Sequence, residues 1–190
     1  MADSNITKRA LASALKDLMI DLPFDKINVS DICELCDMNR KSFYYHFKDK
    51  YDLVNWIFDT EFIAVANRRD YQNQWQVLVD TAEYFYENHT FYRKALSVSG
   101  QNSFSDHLRE IMHPLLRQRF STMFPEGENW DFQVNTFSDI FICALQRWLL
   151  EKDPMTASEF LEQGKIGIQY FAARIAQLEQ KNTEENEEGA

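Results

Sequence analysis

Residues 28–50 read NVSDICELCDMNRKSFYYHFKDK. Asn28 stands where a helix can begin, with Asp31 three positions on, a spacing that satisfies orphan N-terminal N–H groups. The short helix it opens is predicted to end around Cys36. Asp37-Met38 then makes a tight turn, because Asp tolerates the left-handed conformation better than most non-glycine residues. Asn39 caps a second short helix, in which Phe43 and Phe47 lie four apart and face inward. Two short helices joined by such a turn describe a helix-turn-helix.

In that arrangement the first residues of the second helix meet base edges in the major groove. Arg40 and Lys41 have the donors to read guanine O6/N7, and Ser42 and Asn39 can bond a base edge or a phosphate. Tyr44 and Tyr45 offer hydroxyls on stiff stalks suited to phosphate oxygens, while Lys48 and Lys50 can neutralise the same backbone. A solvated charged helix covering two phenylalanines is the competing reading of this stretch.

The cations stand out against their surroundings. The 190-residue chain has a formal net charge of -10, yet residues 1–50 hold eight Lys+Arg against eight Asp+Glu, so the acidity lies wholly beyond them. Different partners for the two regions are implied. With five glycines, four prolines and apolar residues at helical spacing, the chain reads as all-α. Leu11, Leu15, Leu18 and Leu22 mark the buried stripe of a first helix over 5–21. Further helices are predicted over 51–66, 72–88, 89–98, 104–122, 130–151 and 156–180. No apolar run spans a membrane, no signal peptide is evident, and three cysteines give no disulfide framework; a cytoplasmic protein is expected. Three parts are expected: a reading head over 1–50, a helical body over 51–180, and an acidic disordered tail over 181–190.

Residues 6–53 resemble the DNA-binding domain of the TetR family of transcriptional regulators. The resemblance rests on the apolar first helix, Phe24, Val29-Ser30-Asp31-Ile32, the Tyr-Tyr-His-Phe ending of the reading helix, Lys50 and Leu53. The family usually has Gly in the turn and Ser or Thr at the next cap, where this chain has Asp37 and Asn39. Both can adopt the same backbone, so the departure bears on the bases read more than on the fold. The resemblance implies DNA contacts at Asn28, Ser30, Asn39, Arg40, Lys41, Ser42, Tyr44, Tyr45, His46 and Lys50. It also implies a C-terminal helical domain that dimerises and often senses a ligand.

The sequence supports a dimer on its own terms. Phe137, Phe141, Ala144 and Trp148 form one apolar face, and Phe160, Gly164, Gly167, Phe171 and Ile175 another. Two glycines on a helical face cost about 1 kcal/mol each relative to alanine, which suggests close approach of another helix. Trp75, Tyr84, Phe85, Phe91, Tyr92, His113, Phe141 and Trp148 are candidates for an aromatic ligand pocket, against the plainer reading of core packing. The segment 86–94, YENHTFYRK, is similar to a subgroup of TetR-like proteins that includes regulators of dihydroxyacetone kinase operons. That likeness implies control by a protein co-regulator as well as, or instead of, a small molecule.

Cys33 and Cys36 lack the further ligands zinc needs and read as small packed thiols; Cys143 is expected in the core. His89, His107 and His113 form no metal motif, and no phosphate-cradling glycine loop or nucleophile elbow is present, so neither a cofactor nor an enzyme is expected. The expected function is a homodimeric regulator that binds a near-palindromic operator and represses transcription. A protein-interaction module with a degenerate helix-turn-helix and a helical ligand-binding protein are the alternatives.

Overall fold

The computed structural model describes the chain apart from residues 1, 70, 72, 99–102, 126 and 189–190. Among the described residues there is no strand. The first helix, α1 (Ala2–Asp21), is followed by a 3-10 turn at Phe24–Lys26, then α2 (Val29–Leu35) and α3 (Arg40–His46). Helix α4 (Lys50–Phe58) runs through a π-helical turn at Asp59–Ile63 into α5 (Ala64–Ala66). The body continues as α6 (Gln74–Glu87), α7 (His89–Leu96), α8 (Phe104–Phe120), α9 (Trp130–Leu150) and α10 (Ala157–Glu188).

Leu11, Leu15 and Met19 of α1 are buried with Phe24, Ile27, Ile32, Phe43 and Phe47, and this set fixes the N-terminal head. The expected stripe needs correcting at its end. Leu22 lies beyond α1 and is exposed, and Met19 takes the inward position one turn earlier. Helix α4 joins head to body: Leu53, Val54, Ile57 and Phe58 are buried, and Phe58 enters the aromatic core of the body.

That core is a set of interlocked rings. Phe58, Phe62, Tyr84, Phe85, Tyr92 and Phe104 contact one another with centroids 4.8 to 6.5 Å apart. The Tyr84 and Tyr92 hydroxyls pair at 2.6 Å, so each polar tip is satisfied inside the cluster. Burial pushes both phenols well above the usual tyrosine range, and they stay protonated.

Helix α10 is unlike the rest. It packs on α6 through Ala157 and Leu161, but beyond Leu161 almost every described side chain is exposed. Its helical backbone runs through the acidic segment to Glu188. Backbone bonding within one helix needs no partner, and glutamate is a good helix former. Residues 189–190 lie outside the described residues. Cys143, expected in the core, is exposed on α9: the buried stripe of that helix is Val134, Ser138, Ile142, Leu145 and Leu149, one position off the thiol.

Candidate nucleic-acid interface

The head presents α3 by burying its underside. Phe43 and Phe47 are 0% and 3% exposed, whereas Tyr44 and Tyr45 on the other side are 51% and 83% exposed. A tyrosine could tuck its ring away; these two do not. Arg40 and Lys41 are exposed in the first turn beside them.

Local chemistry sets this presentation. Met38 N–H donates to the Cys33 carbonyl at 2.8 Å, closing α2, while Asp37 sits at φ 53° in the left-handed region. That is the one positive φ among the described non-glycine residues, and it falls on the residue the turn required. Asn39 Oδ1 then accepts from Ser42 N–H at 2.8 Å and starts α3. At the head of α2, Asn28 N–H donates to Asp31 Oδ2 at 2.7 Å. Asp49 caps α4 by accepting from the N–H groups of Tyr51 and Asp52, both at 2.8 Å. With their capping groups committed, the side chains left pointing outward are those with donors to spare.

Asn28, Ser30, Arg40, Tyr44 and Lys50 line one groove, and Asn39, Lys41 and Tyr45 are exposed on α3 and its cap. The groove has a volume of ≈ 480 Å³ and lies between α2, α3 and the start of α4. The Arg40 guanidinium sits 5.8 Å from the Tyr44 ring centroid, so charge and ring lie together at the start of α3. Ser42 is half-buried, with its hydroxyl 3.3 Å from Asn39 Oδ1. His46 is half-buried and edge-on to Tyr45, at 4.9 Å between centroids.

Lys50 is placed differently from the other cations. Its Nζ donates to the Phe24 and Ile27 carbonyls, both at 2.7 Å, with the Asp25 carbonyl at 3.4 Å. It also lies 4.7 Å from the Phe24 ring centroid. Desolvation lowers its pKa, opposed by Asp25, Asp31 and Asp49. The ammonium thus ties α4 to the turn before α2, while the side chain also lines the groove. Sequence reasoning had no signal for this, because the acceptors lie 23 to 26 residues away.

The aromatic residues expected to line one pocket are divided. Tyr84, Phe85, Phe91 and Tyr92 belong to the filled core. Trp148 is 3% exposed and stacks on Phe160 at 4.5 Å, with its Nε1–H donating to the Met155 carbonyl at 2.9 Å. His113 is half-buried on α8 and does not join the ring cluster. Trp75 and Phe141 instead line an apolar cavity of ≈ 320 Å³ between α6, the end of α8, α9 and α10. Five residues expected at a dimer face, Phe137, Phe141, Ala144, Phe160 and Gly164, line this cavity, and a sixth, Trp148, is buried within the subunit. The remaining ones, Gly167, Phe171 and Ile175, continue along the exposed side of α10, with Phe171 70% exposed. A Cβ built on Gly164 or Gly167 meets nothing within 4 Å. Among the described residues, no other helix of this chain approaches them that closely.

Known proteins resemble both halves of this arrangement. Residues 11–57 match the model of bacterial regulatory proteins of the tetR family, and residues 72–169 match a transcriptional regulator C-terminal region. The HTH-type dhaKLM operon transcriptional activator DhaS of Lactococcus lactis subsp. lactis (strain IL1403) is 30% identical over 144 residues, 75% of this chain and 74% of the relative. A solved structure of the dihydroxyacetone kinase operon activator DhaS superposes with a TM-score of 0.66 at 21% identity, covering 87% of this chain and 97% of the other. A TetR transcriptional regulator from Streptococcus agalactiae 2603V gives 0.58 at 23% identity, covering 85% and 93%. At these identities the two structures speak to the fold alone.

Proposed function

The chain belongs to the TetR family of transcriptional regulators, and from that premise we propose that it binds a near-palindromic operator as a homodimer through α3 of each subunit. The observation that carries the reading is the two-sided α3, with Phe43 and Phe47 buried and Arg40, Lys41, Tyr44 and Tyr45 outward. Arg40 and Lys41 read base edges; Tyr44, Tyr45, Ser30 and Asn28 bond phosphates, with Ser42, Asn39 and His46 fixing or extending that surface. Lys50 contributes by holding α4 against the turn that leads into α2.

The proposed dimer face is the apolar side of α9 and α10. Exposed Ile140, Ile168, Phe171, Ile175 and Leu178, with two glycines facing open space, support a second copy there. A two-fold axis through that face sets two heads about one helical turn of DNA apart, or somewhat more. The division into a reading head over 1–50, a body over 51–180 and a tail from 181 is part of the same proposal. The filled aromatic core supports control through a protein co-regulator over a small molecule held between Tyr84 and Tyr92.

The sign of regulation is a separate matter. Operator occupancy alone favours repression by blocking promoter access; the Lactococcus relative, a transcriptional activator by name, supports activation. A promoter–reporter fusion, with and without the chain, separates the two. The binding reading itself is tested by titrating purified protein against its own upstream DNA and a selected duplex over a range of salt. Saturable, sequence-specific binding that weakens with salt is expected. Binding indifferent to sequence and salt would favour the interaction-module alternative.

A further inference from the structure

Helix α7 falls within the segment 86–94 that the sequence singles out, extended by two residues, and its polar side chains reach two other helices. His89 Nε2–H donates to the Leu149 and Glu151 carbonyls, at 3.1 and 3.0 Å, where α9 ends. Lys94 Nζ donates to the Ile20 carbonyl at 2.8 Å, where α1 ends. The last turn of α1 has no basic residue of its own, so the body supplies the cation that its C-terminal carbonyls favour. Helix α7 thus bridges α9, which carries part of the proposed dimer face, to α1 of the head.

Lys16 makes a second tie one turn earlier on α1. Its Nζ donates to the Glu61 carboxylate in the π-helical turn, at 2.6 and 2.5 Å, and lies 5.8 Å from the Phe91 ring centroid of α7. Residues 16 and 20 are four apart, so both ties leave the same side of α1. The chain joins head to body through α4, and α1 against α7 is a further joint between them. Apolar contact is non-directional and holds two helices together without fixing their angle. Two charge-assisted bonds about 6 Å apart along one helix restrict that angle.

We infer that Lys16 and Lys94 are positioning residues for operator recognition: they set the angle of the head on the body, and through it the half-site spacing that a dimer accepts. This rests on the homodimeric operator reading above. One base pair more or less moves a half-site by about 3.4 Å and turns it by about 35°. A head held at one angle misses the displaced half-site, whereas a head free to tilt follows it. Neither lysine needs to touch DNA for this, so the bases read stay the same.

The test uses a duplex selected from random sequence by the parent protein, and copies with one or two base pairs inserted or removed between the half-sites. Affinity for each is measured with the parent, Lys16→Met, Lys94→Met and the double variant, with melting recorded alongside. The parent should prefer its selected spacing. In the double variant that preference should narrow by up to about tenfold, the most that two partly exposed ties can supply. Lys94→Arg, which keeps charge and donors, should behave as the parent. A loss of stability alone lowers the active fraction on every duplex alike and leaves the preference where it was. An unchanged preference in the double variant therefore overturns the inference. Should the double variant fail to fold, Lys94→Met and Glu61→Gln are measured singly, and an unchanged preference in both overturns it. A parent that binds its selected duplex but ignores spacing overturns the inference and leaves the operator reading standing. A parent with no saturable, sequence-specific binding overturns both.

Discussion

Two faces of this molecule are exposed for opposite reasons. The outer face of α3 carries guanidinium, ammonium and phenol groups above buried Phe43 and Phe47. The outer face of α10 carries Ile168, Phe171, Ile175 and Leu178 with little beneath. Water is an adequate partner for the first and a poor one for the second. The first therefore suits a polyanion that exchanges with water and ions, and the second suits another apolar surface. What decides the reading is the chemistry on each side of the helix, since exposure itself is common to both.

The largest test of this contrast removes the underside of α3. Phe43→Ala deletes a ring with no exposed surface, and truncation of a buried phenylalanine costs about 3–5 kcal/mol. Chemical denaturation should report that destabilisation, and DNA binding should fail because α3 no longer sits on the head. Stability within about 1 kcal/mol of the parent would mean that the α3 face does not depend on its buried side. Next in size is Phe171→Glu on α10. In the free chain this residue is 70% exposed, so folding of the subunit should be unaffected. A central interface aromatic is worth about 2–4 kcal/mol of association, and sedimentation at micromolar protein should show monomer. An unchanged dimer would move the interface off this face.

The same contrast explains what could be read before the structure. The reading head was legible because its determinants are local: Asn39 caps α3 three residues from its donor, and Asp37 takes the left-handed turn between adjacent helices. Helix positions in the body followed from periodicity for the same reason. Lys50 was not legible as a clamp, since its carbonyls belong to another segment. Nor was the aromatic set. Tyr84, Phe85 and Tyr92 recur at helical spacing whether a cavity or a neighbour's ring faces them, and here rings do. The π-helical turn at Asp59–Ile63 also escaped, because one extra residue in a turn barely disturbs an apolar pattern of this length.

A smaller effect is expected on the polar face. Tyr44→Phe leaves the ring and the buried side of α3 in place and removes one hydroxyl. A hydrogen bond to a charged group is worth about 1.5 kcal/mol or more, so operator affinity should fall roughly tenfold for each phosphate bond removed. The melting point should stay where it was, because Tyr44 is 51% exposed and its ring, which lies against the Arg40 guanidinium at the surface, is kept. Equal affinity in variant and parent would remove Tyr44 from the DNA-facing surface and shift weight to Tyr45.

The smallest effect is the most discriminating, because its sign differs between the two states of the chain. Gly164 lies inside α10, and a Cβ there meets nothing within 4 Å. Replacing a helix-interior glycine by a good helix former gains about 1 kcal/mol when no neighbour objects. For an isolated subunit Gly164→Leu should therefore be mildly stabilising. If a second copy crosses at this point, the added side chain must displace it, and the dimer should weaken. Melting measured over a roughly hundredfold range of protein concentration separates the two effects: the variant should melt higher than the parent where both are monomeric and lack the parent's rise with concentration. A variant that is stabilised equally at every concentration would leave the glycines of α10 without an interface to serve. The contrast between the two exposed faces would then rest on Phe171 and its apolar neighbours alone.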